Sequence, residues 1–92
     1  MAQTVFSNGR NTFDTVLVGE TVTMRGQATI GDTEVSFYGQ ISKNDNNDYV
    51  GDYTQTNLSI ADQSRMDYLI ESATLLKQLS DDVATKQTEI NA

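Results

Sequence analysis

The sequence contains no cysteine, histidine, tryptophan or proline, and only six of its 92 residues are basic. Without cysteine, neither a disulfide nor a thiolate metal site can stabilise the fold. Without histidine or cysteine there is no Ser-His or Cys-His pair and no imidazole ligand. The carboxylates fall mostly in predicted loops or on a helix surface, where no burial raises their pKa toward the range that acid–base catalysis needs. These absences indicate a non-enzymatic protein with no cofactor and no metal.

Long apolar runs are also missing. No segment approaches the roughly 20 apolar residues that a membrane helix needs. The first ten residues, MAQTVFSNGR, lack the charged and apolar regions of a signal peptide. We therefore expect a cytoplasmic protein without a membrane segment, folded as a single domain over residues 1–92. A chain this short buries only about 60–65% of its unfolded surface, so pairing with a second copy would add stability.

Positive charge is scarce and unevenly placed. The formal net charge is −7; residues 1–43 hold three basic and four acidic groups, and residues 44–92 hold three basic and nine acidic groups. Few cations mean few phosphate contacts, so nucleic acid is an unlikely partner. A solvated acidic surface explains the excess of acidic over basic residues, and a surface that binds a basic partner is the alternative.

Regular turn signals divide the first part of the chain into strands. Asn8-Gly9 is typical of a type I′ hairpin turn, and Gly19-Glu20 and Gly31-Asp32 are typical of type II′ turns. The polar residues 44–47 predict a longer loop. The segments between are rich in Val, Thr, Phe and Tyr. The pattern predicts a four- to five-stranded antiparallel β-meander over about residues 3–56.

Two-residue turns would fix the pairing of neighbouring strands. The predicted pairs are Ser7 with Arg10, Val18 with Thr21, and Ile30 with Thr33. One face of the sheet is then almost entirely apolar: Phe6, Phe13, Thr15, Leu17, Val22, Met24, Ala28, Ile30, Val35, Phe37 and Ile41. The opposite face is mostly polar, and a slip of one residue at any turn would destroy this separation.

The fifth strand, about residues 48–56, is less determined. It contains Tyr49, Val50 and Tyr53, and the pattern leaves open which of them face inward. Gly26 and Gly39 are close neighbours on the inner face, which is typical of a bend or a bulge.

From residue 59 the pattern predicts one long amphipathic helix, about residues 59–88, packed on the apolar sheet face in an α+β fold. Ser59 is the expected N-cap, with Asp62 in the first turn and Asn57 as the competing cap. The stripe expected to face the sheet is Met66, Leu69, Ile70, Ala73, Leu76, Ser80 and Ala84. The tail to residue 92 is polar from Thr85 and either frays or takes part in a dimer.

The favoured hypothesis is a small non-enzymatic protein-interaction module that forms a homodimer and acts through protein contacts. Its candidate interface residues are Tyr68, Leu75, Leu79 and Val83 on the helix, and Val16, Val18 and Tyr38 on the outer sheet face. One alternative is an acidic inhibitor or decoy of a nucleic-acid-binding protein, of the kind that phages encode.

Two further hypotheses concern ligands. A sheet that binds single-stranded nucleic acid would use Tyr38 and Tyr53 as stacking platforms beside Arg10 and Arg25. Residues 44–52 invite a calcium interpretation, but an EF-hand frame that starts at Asp45 places a valine where the turn glycine belongs. Weak calcium binding by this loop stays open.

Overall fold

The computed structural model describes residues 3–7 and 9–91, which form one sheet and one helix. The elements are β1 (Val5–Ser7), β2 (Thr12–Val18), β3 (Val22–Ile30), β4 (Val35–Lys43), β5 (Tyr49–Thr54), β6 (Leu58–Ile60) and α1 (Met66–Ile90). The strands lie side by side in chain order, and each neighbouring pair is antiparallel. The predicted α+β fold, a β-meander followed by one long C-terminal helix on one sheet face, is confirmed with one additional strand.

The turns are longer than predicted. The pairs that close the second and third turns are Val18 with Thr23 and Ile30 with Val35. Gly19 N donates to the Val22 carbonyl oxygen at 2.8 Å, and Gly31 N donates to that of Glu34 at 2.8 Å. A type II′ turn needs a positive φ at its first central residue, and no described glycine has one. The predicted two-residue turns at Gly19 and Gly31 are therefore wrong.

The first turn differs in the same way. Ser7 pairs with Asp14 rather than with Arg10, and Asn8 of the predicted Asn8-Gly9 turn lies outside the described residues. Every shift in register is an even number of residues. Since side chains alternate between the two faces of a strand, an even shift leaves each residue on its predicted face.

The inner face of the sheet is the one predicted. Phe6 and Val35 are half-buried and pack against the core, and the other members of the predicted set are buried. They are Phe13, Thr15, Leu17, Val22, Met24, Ala28, Ile30, Phe37 and Ile41. Strand alternation thus located the sheet side of the core correctly.

A β-bulge determines which residues of β5 point inward. Ile41 pairs with Gly51, but Ser42 pairs with Tyr49, so Val50 is the extra residue. The bulge breaks the alternation between Val50 and Tyr53, which are both buried, at 4% and 2% exposure. Tyr49, on the other side of the bulge, is 53% exposed.

Two glycines make room for Tyr53 in the middle of the sheet. One row crosses all six strands: Phe6, Thr15, Gly26, Gly39, Tyr53 and Leu58. A Cβ at Gly26 or Gly39 would lie 2.7 or 2.6 Å from the Tyr53 Oη. The two glycines are directly paired, so their predicted proximity is confirmed. The register of β3 with its neighbours passes through them without a bulge. Their role is to admit the aromatic side chain.

Buried hydroxyls accompany this row. The hydroxyls of Thr15, Tyr53 and the helix residue Ser72 form no hydrogen bond of ordinary geometry within the described chain. Burial raises the pKa of Tyr53. The centre of the molecule therefore combines tight packing with polar groups that packing leaves unpaired.

The helix begins later than predicted because residues 58–60 continue the sheet as β6. Asp62, the expected first-turn acid, instead closes a turn: its Oδ1 accepts from Ser64 N at 3.1 Å and from Ser64 Oγ at 2.6 Å. α1 starts at Met66 after Arg65, without a side-chain cap. The N-cap predicted at Ser59, and its competitor Asn57, are therefore wrong.

The helix ends against the turn between β3 and β4. It continues through Ile90, so the segment from Thr85 is helical. Gln87 Nε2 donates to the Gly31 carbonyl oxygen at 2.9 Å, and Asn91 Nδ2 donates to the same oxygen at 3.4 Å. These bonds attach the end of α1 to the sheet.

Candidate functional site

The helix faces the sheet with a different stripe from the one predicted. Ser72, Leu75, Leu79 and Val83 are buried, and Tyr68 is half-buried against the core. Three members of the predicted interface thus lie in the core, with Leu75 at 6%, Leu79 at 1% and Val83 at 0% exposure. In this fold they are covered by the molecule's own sheet and cannot meet a second molecule.

The stripe expected to face the sheet lies largely in solvent instead. Met66 is 57%, Leu69 36% and Ile70 63% exposed, and Ala73 is exposed beside them. These four residues, the outer stripe, span about 100° of the helix circumference. Lys77 is the one charged residue that falls within that arc, and its Nζ lies 3.5 Å from Asp81 Oδ2. The outer stripe is thus an apolar surface with almost no charge on an otherwise acidic chain.

A groove with a volume of about 780 Å³ runs beside the outer stripe, between α1 and the turn that joins β2 to β3. We name it the α1 groove. Its lining combines apolar, polar and acidic residues: Val18, Gly19, Glu20, Asp67, Ile70, Glu71, Thr74, Leu75 and Gln78. Val18 and Ile70 are 54% and 63% exposed, so the apolar part of the groove is open to solvent.

Glu71 shapes one wall of the α1 groove. Its Oε2 accepts from Thr21 N and Val22 N, both at 2.9 Å, and its Oε1 accepts from the Thr21 hydroxyl at 2.8 Å. This carboxylate holds the β2–β3 turn against the helix. Sequence reasoning missed it, because a helix glutamate carries no local signal that it will cap a distant turn.

A second side chain fixes the same turn from the other side. Asn44 Nδ2 donates to the Gly19 carbonyl oxygen at 2.8 Å, and Asn44 Oδ1 accepts from the Thr23 hydroxyl. The loop of residues 44–47, predicted as a polar connection, thereby supports the groove wall. Within it Asn47 has a φ of 62°, the left-handed conformation that asparagine tolerates.

Arg65 and Asp67 form an ion pair at the start of α1. Arg65 Nε and Nη2 donate to the two Asp67 oxygens at 3.0 and 2.8 Å, and the guanidinium lies 3.9 Å from the centre of the Tyr68 ring. The hydrogen bond from Arg65 lowers the pKa of Asp67. Of the acidic residues in the groove, Asp67 therefore has its own cation nearby.

The outer sheet face carries the other predicted interface residues. Val18 is 54% and Tyr38 57% exposed, and Val16 is half-buried opposite Val5 of the edge strand. The Tyr38 hydroxyl donates to Gln27 Oε1 at 3.1 Å. Tyr53 pairs with Gly39 and points to the core, so of the two tyrosines considered as stacking platforms only Tyr38 lies on this face.

Neither a metal centre nor a membrane span is found in the part of the chain that the structure describes. No three His, Cys, Asp or Glu side chains gather there in a way that could hold a metal ion. Within the same residues, no helix combines the length and the hydropathy that crossing a bilayer requires. Asn46 and Asp48, in the loop considered for calcium, bond each other: Asp48 N donates to Asn46 Oδ1 at 3.0 Å.

Comparisons with known proteins add no identity to this geometry. No protein-family model, no curated protein and no solved structure matches the chain. The functional interpretation therefore depends on the surfaces described above.

Proposed function

We propose that this protein is a small non-enzymatic interaction module that forms a homodimer through the outer stripe of α1. The observation that carries the proposal is the exposure of three large apolar side chains, Met66, Leu69 and Ile70, at 57%, 36% and 63%. They lie at helical spacing on one arc, and the core of the single chain does not use that arc. Contiguous exposed apolar residues of this kind mark interaction sites in soluble proteins.

The charge of the outer stripe favours a second copy as its partner. Two copies of a chain with a net charge of −7 repel each other over most of their surfaces. The outer stripe is an exception, because the one charged residue in its arc of the helix, Lys77, is balanced by Asp81 one turn later. A self-complementary contact is therefore least opposed here.

The spacing of side chains on the stripe also suits an antiparallel pair. In a pair centred on Ala73, Met66 of one copy faces Ser80 of the other, and Ile70 faces Leu76, which is half-buried against its own core. Leu69 faces the aliphatic stem of Lys77. The small side chains of Ala73 and Ser80 allow two helices to approach closely, as ridge-into-groove packing requires. The small residues then lie at the centre of the contact and opposite Met66 at its two ends.

Sedimentation velocity over a range of concentrations tests the proposal. We expect wild-type protein to dimerise by high micromolar concentration, and Ala73→Glu to weaken the dimer by at least about tenfold, because two carboxylates would meet at its centre. Thr85→Glu is the matched control: it adds the same charge at an exposed position of α1 outside the stripe. A wild-type monomer throughout, or equal effects of the two substitutions, would contradict the homodimer.

The two alternatives differ in their support. A sheet that binds single-stranded nucleic acid has less, because Tyr53 is buried and cannot stack on a base. An acidic module that meets a basic protein is better supported, because the α1 groove combines carboxylates with exposed apolar side chains.

A further inference from the structure

We propose that the α1 groove binds a cationic amphipathic helix of another protein, at a surface that shares only Ile70 with the homodimer contact. The groove follows α1 from Asp67 to Gln78, about 16 Å or three helical turns. This length matches a short helix lying alongside α1. The β2–β3 turn forms the opposite wall, and Glu71 and Asn44 hold that wall in place.

The apolar part of the groove supplies contact area for the partner. Val18 contributes from the outer sheet face and Ile70 from the helix, and both are more than half exposed. Leu75 lies at the base, where its Cδ1 approaches within 2.8 Å of a Cβ built at Gly19. A partner helix can therefore place an apolar side chain between the two walls, the arrangement by which amphipathic helices dock in hydrophobic grooves.

The charge of the groove determines the sign of the partner. Of the described residues that line it, none is basic, and three are acidic. Asp67 is neutralised by Arg65. Glu71 accepts its hydrogen bonds from neutral groups, two backbone N–H groups and one hydroxyl, so these bonds bring no cation to it, and Glu20 adds a second carboxylate at the groove. Lysine or arginine beside the apolar side chains of the partner would meet both carboxylates.

The docking surface and the dimer contact can be tested separately. Ile70 lies at the border between them, but Ala73 does not line the groove, and neither Val18 nor Glu20 belongs to the outer stripe. A substitution at Glu20 therefore probes the groove alone, and Ala73→Glu probes the dimer alone.

The probe is a synthetic 14-residue amphipathic helix of leucine and lysine, titrated into ¹⁵N-labelled full-length protein and followed by amide chemical shifts. We expect saturable binding, with the largest shifts at residues 18–20 and 70–78. Glu20→Lys should weaken binding at least about fivefold, since it reverses a rim charge. Val18→Thr, which keeps the shape but adds a hydroxyl, should weaken it about threefold. Glu89→Lys, with the same charge change beyond the groove, should stay within about twofold of wild type.

Several results would overturn the proposal. One is shifts confined to residues 44–48 or 81–89, which would show binding to acidic surface in general. Others are equal weakening by Glu20→Lys and Glu89→Lys, equal binding of a leucine–glutamate version of the peptide, or no saturable binding. Glu20 and Val18 lie outside the dimer contact, so these results distinguish a failure of docking from a failure of dimerisation.

Discussion

Replacing Tyr53 with phenylalanine should leave the fold at least as stable at neutral pH. The side chain is 2% exposed, and its hydroxyl forms no hydrogen bond of ordinary geometry with another described residue. A buried hydroxyl without a partner costs about 1–3 kcal/mol. Phenylalanine keeps the ring over Gly26 and Gly39 and removes that cost. We expect the free energy of unfolding in urea to stay constant or rise by up to about 1 kcal/mol.

Thr15→Val and the double variant sharpen this test. Valine has the shape of threonine, so Thr15→Val should also be neutral or stabilising, and the effects of the two substitutions should add. A hydrogen bond between the two hydroxyls would give a different result: each single variant would lose about 1 kcal/mol, and the double variant would lose less than the sum. That outcome would refute the reasoning. Tyr38→Phe, at a residue 57% exposed, is the control and should change stability by less than about 0.5 kcal/mol.

The pH dependence of stability provides a second test of the same variant. Burial raises the pKa of Tyr53 above its ordinary value of 10.0, so the unfolded chain loses this proton before the folded one does. The contribution of Tyr53 to the free energy of unfolding is therefore retained below about pH 10 and lost as the pH rises through the folded-state pKa. Tyr53→Phe lacks this term and should lose less stability above about pH 10. Equal alkaline losses in the two proteins would contradict a buried phenol.

Two further predictions concern packing, and urea unfolding measures both. Gly39→Ala should destabilise the fold by about 2–4 kcal/mol, because its Cβ would lie 2.3 Å from a backbone carbonyl oxygen. Gly31→Ala should change stability by less than about 1 kcal/mol, because the nearest atom to its Cβ would be 3.3 Å away. Leu79→Ala should lose about 2–5 kcal/mol and Leu69→Ala less than about 1 kcal/mol, because Leu79 is 1% and Leu69 36% exposed. The packing described would be contradicted if Gly39→Ala were as stable as Gly31→Ala, or if Leu69→Ala were less stable than Leu79→Ala.

The inner face of the sheet was predictable because the alternation of side chains along a strand is unaffected by an even error in register. Asparagine, glycine and aspartate mark where a turn lies but do not determine how many residues separate the first paired residues on its two sides. All three turn pairings were wrong, yet Phe6, Met24 and Phe37 still fell on the inner face. Each error was an even number of residues, and odd errors would have placed charged residues in the core.

The features that the sequence did not reveal depend on contacts between distant residues. The bulge at Val50 follows from how β5 meets β4, and no local residue signals it. The burial of Tyr53 requires two glycines on other strands. In the β6 region, Ser59 and Asp62 have the spacing of a helix cap, but Leu58 and Ile60 pair with β5, and pairing with an existing strand prevailed over a local helix signal.

The orientation of α1 shows most directly how packing decides what periodicity cannot. The helix has two apolar stripes, and each has helical spacing. One ends in Ser80 and Ala84, and the other continues through Leu79 and Val83. The sheet faces the helix along most of its length, so the first stripe would leave unfilled volume above the sheet, at a cost of about 1 kcal/mol for each missing methyl-sized group. The second stripe fills that volume, and it is the buried one. The fold therefore leaves Met66, Leu69 and Ile70 exposed. Their apolar side chains do not contribute to the core, and this side of the helix is therefore the one available to a partner.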